Sequence, residues 1–173
     1  MTLLHNVVYV VFRGSSVIKM YTADTLSQLY DVHVTGMRRP NDIVACCHDR
    51  QLYVADCEYC IWRVSVDNPS MYFKWLTTDS TTHMFVVHTL SLSQERLLVT
   101  SQRPPALRQY STTSKDQSLV VQLPSHMNEL NHAVETTRDT FVVSHQGTSQ
   151  DKKQYAVSEL FRFCHVLMLL MTS

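Results

Sequence analysis

The chain has 173 residues, 45% of them hydrophobic and 17% charged, and its 15 basic and 15 acidic side chains leave a formal net charge of zero. That length fits one domain or part of one. The charge balance excludes a whole-domain electrostatic attraction to nucleic acid or to an anionic membrane and leaves only local patches for such contacts. With only 3 glycines, a fold rich in turns is expected to draw on Asn, Asp and Ser.

Taken in order, residues 1–12 are apolar. They lack a basic leader and a small-residue cleavage site, and His5 and Asn6 interrupt the run, so a strand is predicted rather than a signal peptide. Val8-Tyr9-Val10 forms that strand, residues 17–20 fold back on it, and residues 29–34 supply a third. Residues 1–35 therefore read as a partial unit, with no room for a strand ahead of Val8. Gly36-Met37-Arg38-Arg39-Pro40 is a connection. Residues 42–45, 52–55, 61–64 and 71–76 are rich in β-branched and aromatic side chains and predict four strands within 40–78. Within 86–124 the same pattern falls on residues 89–92, 97–99, 106–109 and 119–123. Within 130–160 it falls on 132–135, 140–142 and 155–157. The five prolines (40, 69, 104, 105 and 124) lie outside these strands. The apolar tail 161–173 fits a last outer strand, a closing strand beside the first unit, or a short helix. Its apolar run is far shorter than the roughly 20 residues a spanning helix needs.

Val8, Leu52, Leu97 and Thr140 open matching hairpins at spacings of 44, 45 and 43 residues. Four strands per unit at that period are the signature of a β-propeller. The fold class expected is all-β, with about four blades of four antiparallel strands. It is read as an open portion of a six- or seven-bladed ring, with unpaired edges that favour association.

Pro40-Asn41-Asp42-Ile43-Val44, followed by Tyr53-Val54-Ala55-Asp56 and Ile61, resembles a blade of the NHL-repeat family. The match is good over residues 40–76. It departs where Cys57, Glu58, Tyr59 and Cys60 replace the usual Gly and Asn of the turn. Phe12, Ser101 and Ser144 stand where the other units would carry the Asp. The resemblance implies a propeller that binds proteins and sometimes RNA, and it carries over no functional residue.

No catalytic constellation emerges: there is no Gly-rich phosphate loop, no nucleophile elbow and no nucleophile beside an assignable base. Cys57 and Cys60 form a CxxC with Cys46, Cys47 and His48 nearby. A zinc site needs two such pairs and a redox CxxC opens a helix, so turn or blade residues are the simpler reading, with a disulfide or a metal as alternatives. No metal and no cofactor is expected.

In a propeller, the turns from second to third strands share a rim with the connections between blades. That rule puts Arg38, Arg39, Asn41, Glu58, Tyr59, Arg103, Lys152 and Lys153 on one rim, with His126, Asn128, His145 and Gln146. The function expected is a non-catalytic scaffold for protein–protein interaction through these loops. One alternative is a calcium-dependent hydrolase of the lactonase or esterase kind, with Asp42, Asn131 and Glu135 as candidate ligands. Another is RNA binding through Arg38, Arg39 and Arg103. Protein partners lead, RNA is a second possibility, a membrane is not expected, and a cytoplasmic location is the default.

Overall fold

The structure, a computed structural model, describes residues 1–57, 59–78, 86–102, 104–124, 127–137, 140–146, 155–163 and 166–170. At 102, 128, 129, 146, 155–163 and 166–170 it describes the backbone alone. The described residues hold sixteen strands and no helix. The first sheet joins β1 (Thr2–Leu4), β2 (Val7–Val11), β3 (Val17–Thr22) and β4 (Gln28–His33). The second joins β5 (Pro40–Cys46), β6 (Gln51–Asp56), β7 (Cys60–Ser65) and β8 (Tyr72–Thr77). The third joins β9 (Val87–Ser93), β10 (Arg96–Gln102), β11 (Pro105–Ser111) and β12 (Gln117–Gln122). The fourth joins β13 (Asn128–Thr137), β14 (Thr140–Gln146), β15 (Tyr155–Phe163) and β16 (Val166–Leu170). In every sheet the strands follow chain order and the pairings described are antiparallel. Such a sheet is an up-and-down four-stranded blade.

The chain divides into two compact units, Met1–Leu90 and Ser91–Ser173, with the division inside β9. In the first unit, Leu4, Tyr9, Ile18, Met20 and Val32 of the first sheet share a core with Ile43, Leu52, Val54, Trp62 and Val64 of the second. β6 is buried on both faces apart from Gln51, because Leu52 and Val54 face this core while Tyr53 and Ala55 point the other way. That is why Leu52-Tyr53-Val54-Ala55 reads as a continuous apolar run instead of an alternating one. β4, at the sheet edge, buries only Val32. In the second unit, Leu98, Leu107, Leu119, Val121 and Met127 pack with Leu130, Ala133, Phe141 and Val143.

The turns repeat as faithfully as the strands. The N–H at the start of the third turn donates to the first turn of the same sheet: Ala23 to Asn6, Val66 to Arg50, and Thr112 to Glu95, at 2.9–3.0 Å. At the other end, Val34 N–H donates to Ser16 and Leu123 N–H to Pro105, and each is followed by a buried methionine, Met37 or Met127.

The structure corrects several expectations. Residues 1–35 form a complete blade, because Thr2–Leu4 pairs with β2 as Thr2↔Tyr9, Leu3↔Val8 and Leu4↔Val7. His5 (φ 46°) and Asn6 (φ 63°) make the two-residue turn, which needs positive φ at both positions and leaves room for a strand of three residues. The tail contributes β16, paired to β15 as the outer strand of the fourth sheet. Pro40 and Pro105 open strands, the position where a missing N–H is tolerated. Left-handed backbone falls on His5, Asn6, Leu26, Arg50, Tyr59, Gln94 and Lys115, while Asp24, Asn68, Ser111 and Ser114 accept backbone N–H groups within turns, as expected of those residue types. His145 and Gln146 end β14 and are not loop residues, and His145 is buried.

Candidate binding rim

Within the first unit, three segments meet at one end of the blades. The first is the β2–β3 turn, closed by Ser15 N–H on the Phe12 carbonyl at 3.0 Å. The second is the connection from β4 to β5, tied to that turn by Val34 N–H on Ser16 at 2.9 Å. The third is the β6–β7 turn, whose Cys57 N–H donates to the Arg39 carbonyl at 3.0 Å. Thr78 closes the group from behind, its N–H on the Tyr59 carbonyl at 2.8 Å.

Asp56 holds this end together. Its carboxylate is fully buried and accepts N–H groups from Arg38 and Arg39 and the Trp62 indole N–H, each at 3.1 Å. Arg38 and Arg39 belong to the connection and Trp62 to β7, so one side chain pins the connection to the second blade. A buried carboxylate is tolerated where several donors converge on it. Gly36 makes the approach possible. Its φ is +93°, and a Cβ there would lie 3.3 Å from the Trp62 ring. On the ring's other contacts, Tyr72 meets it edge-on at 6.2 Å between centroids and Lys74 Nζ lies 5.6 Å from its centre. In the third sheet the position of Asp56 is taken by Ser101, which closes its own turn on the Pro104 carbonyl at 2.8 Å.

The side chains above this latch are basic. Arg13, Arg38 and Arg39 are exposed and Tyr59 is half-buried. Among the described residues, Arg13 and Arg39 have no carboxylate partner. Burial pushes the Cys57 thiol above its ordinary value, while Arg13 and Arg39, both close by, pull the other way. Cys46, Cys47, Cys57 and Cys60 are not joined in disulfides.

Of the residues predicted for the rim, Arg38, Arg39 and Tyr59 are brought together. Asn41 sits on β5, where its Nδ2 donates to the His88 carbonyl at 2.7 Å. Glu58, Arg103, His126, Lys152 and Lys153 lie outside the described residues. Arg13 is a rim residue that sequence reasoning missed. The topological rule that selected Tyr59 covers the β2–β3 turn too, and applying it to the first blade would have found it.

Two of the three candidate calcium ligands, Asp42 and Glu135, are engaged elsewhere. Asp42 accepts N–H groups from Ile43 and Leu90, both at 2.8 Å. Glu135, 2% exposed at its side chain, pairs with Arg96 at 2.8 Å and accepts from Gln109 Nε2 at 3.3 Å. Among the described residues no group of three His, Cys, Asp or Glu could hold a metal ion. At the opposite end of the first unit, Asp49 accepts from the Tyr53 hydroxyl at 3.1 Å and from Arg63 at 3.2 Å, an arrangement internal to the second blade. A cleft of about 620 Å³ in the first unit is lined by Tyr30, Asp31, Val32, His33, Pro69, Ser70 and Tyr72.

Four up-and-down antiparallel blades repeating about every 44 residues define a protein of the β-propeller class. No protein-family model and no curated protein matches the chain. Solved structures do. The nidogen/laminin complex aligns over 94% of this chain and 60% of its own, at TM-score 0.68 and 8% identity. Kuenenia stuttgartiensis hydrazine synthase aligns over 96% and 46%, at TM-score 0.67 and 11% identity. The WD40 repeats of RRP9 align over 92% and 49%, at TM-score 0.59 and 16% identity. At such identities the likeness shows the fold alone. The chain spans between 46% and 60% of the length of these structures.

Proposed function

We propose that the chain is a non-catalytic binding scaffold that holds a protein partner on the rim formed by the β2–β3 turn, the 34–39 connection and the β6–β7 turn. One observation carries this reading. Arg38 and Arg39 offer exposed guanidiniums from a backbone locked onto the buried Asp56 carboxylate, so their placement is prepaid before a partner arrives. Arg and Tyr are the side chains that anchor interfaces. The resemblance of residues 40–76 to an NHL-type blade, a kind of propeller that binds proteins, supports the same reading.

The test is a photo-crosslinking amino acid placed at position 59, with a control at position 26 on the opposite rim, where Leu26 is 65% exposed. A discrete protein adduct from position 59 and none from position 26 is expected. Equal adducts from both positions, or none from 59, would contradict the proposal.

A further inference from the structure

We infer that the rim's occupant is an acidic peptide segment, whose carboxylates pair with Arg13 and Arg39 beside Tyr59. This rests on the scaffold reading above and names the chemistry of its partner. Three observations lead to it. The hydrogen bonds Val34 to Ser16, Arg38 and Arg39 to Asp56, and Cys57 to Arg39 bind three turns into one continuous surface, so cations from separate parts of the sequence share it. Arg13 and Arg39 have no carboxylate partner among the described residues, although the chain carries 15 acidic side chains. Both of these cations are arginines. A guanidinium presents a planar fork that matches a carboxylate with two parallel hydrogen bonds, which an ammonium cannot do.

The same observations argue against a nucleic acid as occupant. A phosphate backbone is held by many distributed cations, and single strands need several stacking aromatic rings. Here two arginines, both close to Cys57, and a single tyrosine share the surface in a chain with no net charge. A segment of two or three carboxylates, with an apolar or aromatic side chain against Tyr59, matches that size.

The test uses the full chain and three fluorescent probes: a decapeptide of alternating Glu and Ala, the same peptide with Gln for Glu, and a decamer of single-stranded RNA. Fluorescence anisotropy is read at low and at physiological salt. The acidic peptide is expected to bind, and its affinity to fall as salt is raised. Each of Arg13→Gln and Arg39→Gln should weaken it about threefold, the size of an exposed ion pair. Equal binding of the Gln peptide would overturn the inference, as would unchanged affinity in the Arg13→Gln/Arg39→Gln double variant. Tighter binding of RNA than of the acidic peptide, lost in the same variant, would replace the peptide with a nucleic acid. If no probe binds while position 59 still crosslinks to a protein, the acidic partner is wrong and the scaffold stands. If neither happens, both fail.

Discussion

Replacing Asp56 by Ala removes the acceptor for three donors at once. The Trp62 indole N–H belongs to a ring 5% exposed, so no water replaces the lost carboxylate, and an orphaned buried donor costs about 1–3 kcal/mol. The Arg38 and Arg39 N–H groups sit in an exposed connection, where water recovers part of their bonds, and about 1 kcal/mol each is a fair loss. Removing a buried charge returns some of its desolvation penalty. The balance is a destabilisation of about 3 kcal/mol, roughly a hundredfold in the folding equilibrium of the first unit. Urea unfolding followed by tryptophan fluorescence measures it selectively, because both tryptophans, Trp62 and Trp75, lie in the first unit. Paired with Trp62→Phe in a double-mutant cycle, Asp56→Ala should show a coupling of about 1 kcal/mol. A total loss below about 1 kcal/mol, or no coupling, would refute the latch.

Gly36→Ala should destabilise the same unit by about 1–2 kcal/mol, through a left-handed φ and a Cβ pressed on the Trp62 ring; a melt like wild type would contradict that contact. Arg96→Ala should loosen the second unit by about 2 kcal/mol, because the buried Glu135 carboxylate loses its ion-pair partner, and amide exchange in β10 and β13 reads it. Restoring stability with apolar residues at both positions would confirm the cause. Burial raises the Tyr9, Tyr53 and Tyr110 phenols above the ordinary value of 10.0. The folded chain therefore keeps protons that the unfolded chain releases near that pH, so stability is full below it and falls as pH rises past it. Phenolate absorbance should show these tyrosines titrating only with unfolding; all tyrosines titrating together with the fold intact would contradict their burial.

The blades were legible because β6 and β10 are buried on both faces, and residues 52–55, 97–99 and 140–142 stand out as apolar runs at a near-constant spacing. The first strand was not. Thr2–Leu4 is too short to carry a pattern, and the turn that makes room for it uses His5 and Asn6 where a glycine would have announced a hairpin. The tail was ambiguous for a related reason: residues 166–170 are apolar throughout, and only pairing with β15 distinguishes a strand from a helix. At the site, the topological rule placed Arg38, Arg39 and Tyr59 together, whereas the role of Asp56 was hidden. It depends on bonds to residues 17 and 18 positions away, and no local signal tells a carboxylate that captures a neighbouring connection from one that caps its own turn.

Amide hydrogen exchange across the chain, with and without the Glu–Ala decapeptide, tests the central claim most directly. The account predicts slow exchange at Arg38, Arg39 and Cys57 in the free chain, despite the exposed arginine side chains. It predicts further slowing on peptide addition in segments 12–16, 36–39 and 57–59, and none in 23–27, 47–50 or 66–71. Fast exchange at Arg38 and Arg39 in the free chain, or peptide protection confined to the opposite turns, would contradict it.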